Sequence, residues 1–346
     1  MAKVIHNLLK SAFAKGASDL HITVGVPPVL RINGTLHQYG KNIITESDTT
    51  HMANKLIPEK LWPVFEQNGD LDFSYELKDV SRYRINAFYR RNCISLAIRV
   101  VPTYIPSFDE LNLPSIMEDI ANINHGLVLV TGPTGSGKST TLASIIDYMN
   151  QTMRKHIVTL EDPIEYVHEH HFCIIDQREV GSDTTSFSNG LRSALRQDPD
   201  VILVGEMRDF ETIQTAITAA ETGHLVLGTL HTSGAVSTIN RILSVFPGNQ
   251  QHQINAQLSS VLKAVISQRL FPSLDLNGRK AAHEILINVP ATANLIRSNK
   301  IHQIPNVIQT SRLDGMQLFE HSINELVDSG QIARESAQNF LEMERI

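Results

Sequence analysis

Apolar residues near the start of the chain recur at helical spacing. Val4, Ile5, Leu8, Leu9, Ala12 and Phe13 fall on one side of a 3.6-residue repeat, which predicts an amphipathic helix over residues 3–15 that Gly16 ends. The pattern then shortens. Leu20–Val24 and Val29–Ile32 read as strands, and Asn33-Gly34 behind the second is a hairpin turn signal. Leu71–Tyr75, Arg82–Arg90 and Ile94–Val101 complete a small antiparallel sheet, so residues 1–100 form an α+β module. Pro102 and Pro106 oppose regular structure, and residues 101–115 read as a linker.

From residue 126 the pattern changes. The apolar runs Leu127–Val130, Ile157–Leu160, Val201–Val204 and Leu225–Leu227 alternate with longer helical stretches. Continuous apolar runs suit strands buried on both faces, and strands separated by helices predict a doubly wound, parallel α/β core within residues 116–346. The last fifty residues read as mainly helical. There Met316, Phe319, Ile323, Leu326 and Val327 make an apolar stripe suited to core or subunit packing.

Composition narrows the function. With 346 residues, 42% hydrophobic and 19% charged, the chain can build real cores, which excludes a disordered protein. Thirty basic against 36 acidic residues leave a net charge of −6, so no direct nucleic-acid partner is expected. Two cysteines, Cys93 and Cys173, cannot make a disulfide framework or a four-cysteine zinc site and read as free thiols. No signal-peptide pattern opens the chain and no stretch is apolar over the length of a membrane span. A cytoplasmic location is expected, with any membrane association made through a partner.

The strongest chemical signal is Gly132-Pro133-Thr134-Gly135-Ser136-Gly137-Lys138-Ser139, which fits G-x-x-x-x-G-K-[ST] at every position and runs on into Thr140. An apolar strand precedes it and a helical stretch with Leu142, Ile145, Ile146 and Met149 follows. Glycines let successive backbone N–H groups turn toward phosphate oxygens, and a helix N-terminus adds positive potential. Lys138 is expected to reach the β- and γ-phosphates of ATP, and the Ser139 hydroxyl to hold Mg²⁺.

Hydrolysis needs acids as well. Val201–Val204 leads through Gly205 into Glu206, and Ile157–Leu160 leads into Glu161. Both acids are placed at the carboxyl edge of a parallel sheet, where ligands bind in α/β folds. Glu161 is the preferred water-activating base and Glu206 a metal-side acid, although spacing alone leaves the two roles exchangeable. His231 and His224 flank the Leu225 strand, and an imidazole near the γ-phosphate can report its presence by hydrogen bonding. His168-Glu169-His170-His171 lacks metal-ligand spacing and reads as a polar loop. Arg192 and Arg196 share a helix face and read as surface or intersubunit pairing.

Four segments in this order, GPTGSGKST, TLEDPIEYVHE, DPDVILVGEMRD and TGHLVLGTLHT, resemble the secretion-type hexameric ATPases, most closely the PilT-like type IV pilus retraction ATPases. GASDLHI at 16–22, SRYRINAF at 81–88 and AAETGH at 219–224 extend the likeness over nearly the whole chain. The resemblance implies a PAS-like N-terminal domain before a RecA-like ATPase core, and a homohexamer with ATP between the domains and near a neighbouring subunit. It implies Lys138 and Ser139 as phosphate and Mg²⁺ ligands, Glu161 and Glu206 as the acidic and Walker B residues, and His231 as the histidine-box residue. Arginines of the N-terminal module complete such sites. Among Arg82, Arg84, Arg90, Arg91 and Arg99, the resemblance makes Arg84 and Arg99 the candidates.

The implied work is pilus retraction and twitching motility at the cytoplasmic face of the membrane. Its partners would be an inner-membrane platform protein and sister pilus ATPases. One segment departs from the family. Ala291-Thr292-Ala293-Asn294-Leu295-Ile296-Arg297 stands where retraction members carry Ala-Ile-Arg-Asn-Leu-Ile-Arg, which motivates a second reading as an accessory or regulatory ATP-binding paralogue. A pilus assembly ATPase is a further alternative, disfavoured by the missing extra N-terminal domain and paired-cysteine metal motif. A RecA-like nucleic-acid translocase is disfavoured by the net charge.

Overall fold

A computed structural model of the chain describes residues 2–344, apart from 33, 79, 276 and 277. Two compact units divide it: Met1–Tyr104 with Glu165–Val167, and Ile105–Ile164 with His168–Ile346.

The first unit holds α1 (Ala2–Ala14), β1 (Asp19–Ile22), β2 (Val29–Ile32), β3 (Thr35–Gln38), α2 (Glu46–Leu56), α3 (Trp62–Asn68), β4 (Asp70–Leu77), β5 (Ser81–Arg90) and β6 (Cys93–Val100). Its six strands form an antiparallel sheet in the order β3-β2-β1-β6-β5-β4. The apolar stripe of α1 is buried at Ile5, Leu8, Leu9 and Ala12. β5 alternates strictly: Ser81, Tyr83, Ile85 and Ala87 are buried while Arg82, Arg84 and Asn86 are not. Tyr83 is fully buried and its hydroxyl donates to the Leu9 carbonyl at 3.0 Å, and burial pushes its pKa up to about 12. β1 stops at Ile22, two residues short of its sequence expectation. Of the expected Asn33-Gly34 turn, Asn33 lies outside the described residues; β2 and β3 pair in antiparallel register from Ile32↔Thr35 to Val29↔Gln38.

The second unit holds α4 (Ile116–Ala121), β7 (Gly126–Thr131), α5 (Lys138–Thr152), β8 (His156–Glu161), β9 (Ile174–Glu179), α6 (Phe187–Ala194), β10 (Val201–Val204), α7 (Phe210–Glu221) and β11 (Leu225–Leu230). After these come α8 (Ala235–Ser244), α9 (Gln251–Val261), β12 (Leu262–Pro272), β13 (Arg279–Ile287), α10 (Pro290–Arg297), α11 (Ile304–Thr310), α12 (Phe319–Asp328) and α13 (Arg334–Glu344). Seven strands run in the order β13-β12-β7-β11-β10-β8-β9, all parallel except the β12–β13 pair. The continuous apolar runs follow from cover on both faces. Leu127 and Leu129 of β7 enter one core, with Ile202, Val204 and Val226, whereas Val128 and Val130 enter the other, with Val201, Leu203 and α5.

The C-terminal stripe is core. Met316, Phe319 and Ile323 are buried, Leu326 and Val327 pack partly buried, and Phe340 meets both Phe319 and Phe271 edge-on. Thr292, in the segment that departs from the family pattern, is fully buried in α10 and its hydroxyl oxygen has no hydrogen-bond partner. A buried hydroxyl without a partner costs stability, and valine has the same shape without that cost. Thr292→Val is therefore expected to stabilise the chain by about 1 kcal/mol, seen as a higher urea midpoint at unchanged slope.

Candidate nucleotide site at the carboxyl edge of the parallel sheet

β7 ends at Thr131, and the chain curls through Gly132, Gly135 and Gly137 at φ +144, +78 and +92° before α5 begins at Lys138. The Lys138 ammonium donates to the carbonyls of Gly132 at 2.8 Å and Pro133 at 3.0 Å. Burial holds its pKa below the usual lysine value, and the Glu206 carboxylate opposes that shift. Ser139 is exposed on the first turn of α5. Ser136 is buried in the loop, and its hydroxyl oxygen has no hydrogen-bond partner. A glycine-lined curl with an unsatisfied hydroxyl and a tethered ammonium fits a polyphosphate.

Strand order fixes what stands beside the loop. From β7 the carboxyl edge passes to β11, which leads into His231, then to β10, which leads into Glu206, then to β8, which ends at Glu161. At about 4.8 Å per strand, β10 lies roughly 10 Å from β7, and β8 one strand farther. The register Val204↔Gly228 brings the ends of β10 and β11 together. His231 Nε2 lies 2.7 Å from Glu206 Oε1, and Arg208 donates to the same oxygen. Glu161 is held from two sides, by the Thr159 hydroxyl at 2.6 Å and the Gln177 amide at 3.1 Å, both on Oε1.

His224 goes elsewhere. It precedes β11 at the amino edge, where Nδ1 lies 3.0 Å from the Ala219 carbonyl oxygen. The six residues of β11, about 20 Å of extended chain, separate it from His231. His168 is also no part of the edge: burial pushes its pKa down to about 4, and its backbone N–H donates to Gln177 at 2.8 Å. Arg192 pairs with Glu211 at 3.2 Å on exposed side chains. In the first unit, Arg84 and Arg99 are directly opposed across β5 and β6, and Arg99 is opposed to Asp19 across β6 and β1. Asp19 pairs with Arg99 at 3.3 Å and with Arg31 at 3.8 Å.

Several residues at the edge carry no sequence signal of their own. Gln268 of β12 accepts from the Thr141 hydroxyl at 2.7 Å, which couples α5 to the neighbouring strand. Arg279 opens β13 and donates to the Gly135 carbonyl at 3.2 Å. Neither belongs to a local motif. For Arg208 the sequence offers just its position two residues after Glu206.

A family model described as Type II/IV secretion system protein matches residues 1–341. The chain is 46% identical to the type IV pilus retraction ATPase PilT of Pseudomonas aeruginosa, over 96% of this chain and 97% of that one. It is 49% identical to a twitching motility protein of Neisseria gonorrhoeae, over 90% of this chain and 83% of the other. The crystal structure of the pilus retraction motor PilT with bound ADP superposes with a TM-score of 0.91 at 47% identity, covering 99% of each chain. The α/β architecture with its P-loop core is thus that of a known ATPase, and the chain belongs to the Type II/IV secretion system protein family as a PilT-like ATPase.

Proposed function

We propose that the chain works as a homohexameric motor that hydrolyses ATP with Mg²⁺ and drives type IV pilus retraction. The observation that carries this reading is the shared sheet edge, with the phosphate loop, the His231–Glu206 pair and the braced Glu161 in strand order. Retraction, among the uses such energy can have, is supported by likeness to PilT along nearly all of both chains.

In this reading residues Gly132–Thr140 wrap the phosphates and Lys138 neutralises the β/γ charge. The Ser139 hydroxyl and Glu206 are the protein groups for Mg²⁺, which when bound offsets charge on the phosphate oxygens. Few protein ligands suit an ion that keeps several waters and phosphate oxygens. His231 orients Glu206 through their hydrogen bond. Glu161 takes the proton of the attacking water, its carboxylate fixed in place by the Thr159 and Gln177 hydrogen bonds to Oε1.

Arg84 and Arg99 complete the site from a neighbouring subunit. Across the strands Arg31, Asp19, Arg99 and Arg84 lie in one row, so one carboxylate balances three guanidiniums and the row stays positive. Among the described residues no helix is long and apolar enough to cross a membrane. In this reading the motor works at the cytoplasmic face, held there by a membrane platform protein and sister pilus ATPases.

Deleting the gene tests the reading. Excess surface pili with lost twitching support a retractor; bald cells would make the chain an assembly ATPase, and unchanged pili an accessory subunit. A Lys138→Ala copy is expected to leave the deletion uncorrected and, once purified, to show no ATP turnover above background.

A further inference from the structure

One row of residues crosses the sheet just before the phosphate loop. The register pairs Leu230 of β11 with Thr131 of β7, Thr131 with Ser267 of β12, and Ser267 with Glu284 of β13. Neighbours across a sheet present their side chains on one face. That face also carries Leu129, Val265 and Leu286, each two residues away on its strand, and these share a core with Ala235, Ile239 and Ile242 of α8. The row therefore lies under α8, the helix into which the turn after His231 leads.

The polar groups of this face hold that turn. Thr131, Ser267 and Thr238 are all fully buried. The Thr131 and Ser267 hydroxyl oxygens lie 2.8 Å apart, and Thr238 Oγ1 lies 3.4 Å from Thr131 Oγ1. The Thr238 hydroxyl donates to the Gly234 carbonyl at 2.7 Å and lies 2.7 Å from the Thr232 hydroxyl. At the start of α8 the N-cap residue is Gly234, at φ +91°, which has no side chain to cap with. A carboxylate from another strand takes that place: Glu284 Oε1 accepts the Ala235 N–H at 2.8 Å. The positive end of the helix favours its charge. The approach is close, since a Cβ on Gly234 would come within 3.2 Å of the same oxygen.

The partner of His231 is fixed independently. The Thr229 hydroxyl donates to the Gly205 carbonyl, and the Thr229 carbonyl accepts the Met207 N–H at 3.0 Å. The backbone on both sides of Glu206 is thus bound to β11, and what is left to shift between His231 and Glu206 is the 231–234 turn. We propose that Glu284 is a positioning residue for ATP hydrolysis, which caps α8, fixes that turn and so keeps His231 on Glu206. The inference rests on the reading that Glu206 serves the metal and His231 orients it. Their 2.7 Å contact is sensitive to the turn, because a displacement of about 1 Å takes a hydrogen bond out of range. Thr238 and Thr232 belong to the same clamp. Thr131 ties it to the strand that opens the phosphate loop, so the loop and His231 share one support.

A double-mutant cycle tests this. Glu284→Ala is expected to lower kcat about tenfold with KM for ATP within about twofold. In a His231→Ala background the same substitution is expected to change kcat by less than about twofold, because the route it acts through is already cut. Glu284→Gln keeps a carbonyl acceptor for the Ala235 N–H and is expected to restore kcat to within about threefold of wild type. Thr238→Val removes the clamp's hydroxyl at matched shape and gives a second cycle with the same expected outcome, should Glu284→Ala fail to fold. Losses of equal size in both backgrounds would mean a general loosening and would overturn the inference. A wild-type kcat in folded Glu284→Ala, or no rescue by glutamine, would overturn it too. Wild-type turnover by His231→Ala alone would instead sink the reading of His231 and Glu206 beneath it, and the inference with it.

Discussion

Glu206→Gln is expected to lower kcat for ATP by about 10²–10⁴-fold while ADP affinity measured in EDTA stays within about threefold. The substitution keeps shape and hydrogen-bonding reach and removes only the charge. That charge faces three groups: His231 Nε2 at 2.7 Å, the Arg208 guanidinium and, through space, the Lys138 ammonium. A neutral amide holds Mg²⁺ poorly and presents one oxygen where a carboxylate presents two. In the proposed reading the ground-state contacts of the nucleotide include the loop's backbone and Lys138, which the substitution leaves in place, so binding without metal is expected to survive. His231→Ala, which leaves the carboxylate but frees its orientation, is expected to cost about 10–100-fold. Steady-state phosphate release and fluorescent-ADP titration separate the two effects. A Glu206→Gln protein that turns over ATP at the wild-type rate would move the acid role to Glu161 alone.

The parts of this site that the sequence shows are those whose chemistry is written locally. A phosphate loop is made of backbone, so its glycines must stand in a fixed run, and Gly132–Ser139 shows it. Strands β7, β8, β10 and β11 are legible for a related reason: cover on both faces forces largely apolar runs, interrupted in β8 by Thr159. What adjoins what is another matter. Glu206 and His231 lie far apart along the chain and meet only because β10 and β11 are parallel neighbours in the register Val204↔Gly228. Nothing in the residues says that β11 comes between β7 and β10, and so nothing says which acid is nearer the loop.

Other elements are hidden for other causes. α2 has the spacing of a helix at Thr49, Met52, Ala53 and Leu56, but the first of these is a buried threonine, which blurs the stripe. Its capping box, Thr45 with Asp48, is the better signal. β12 follows α9 with no turn residue between Val261 and Leu262, so the change from helical to alternating spacing is concealed. The residues that brace the loop, Gln268 and Arg279, lie on β12 and β13 and are concealed with them. His224 flanks the right strand, β11, but at the wrong end: it precedes the strand and so lies at the amino edge, which chain order in a parallel sheet already implies.

The loop's dependence on glycine is unequal along its length, and this makes the second large prediction. Gly132 sits at φ +144°, where a side chain is strained, and a Cβ there would collide with the Gln268 carbonyl oxygen and approach the Ser136 hydroxyl to 2.6 Å. Both obstacles belong to groups that cannot swing away: one is strand backbone of β12, the other a buried side chain. Gly132→Ala should therefore push the loop off the strand and cost about 3 kcal/mol or more. Gly135 has φ +78° but nothing within 4 Å of where a methyl group would sit, so Gly135→Ala carries the backbone strain alone, about 1–2 kcal/mol. Urea unfolding midpoints measure the difference, and an ADP titration shows its consequence. Gly132→Ala is expected to lose ADP binding altogether, because the loop carbonyls that hold Lys138 belong to Gly132 and Pro133 and move with it. Equal midpoints for the two variants would mean that the loop yields at Gly132 without disturbing β12, and that the close approach of the two backbones is not what shapes the phosphate cradle.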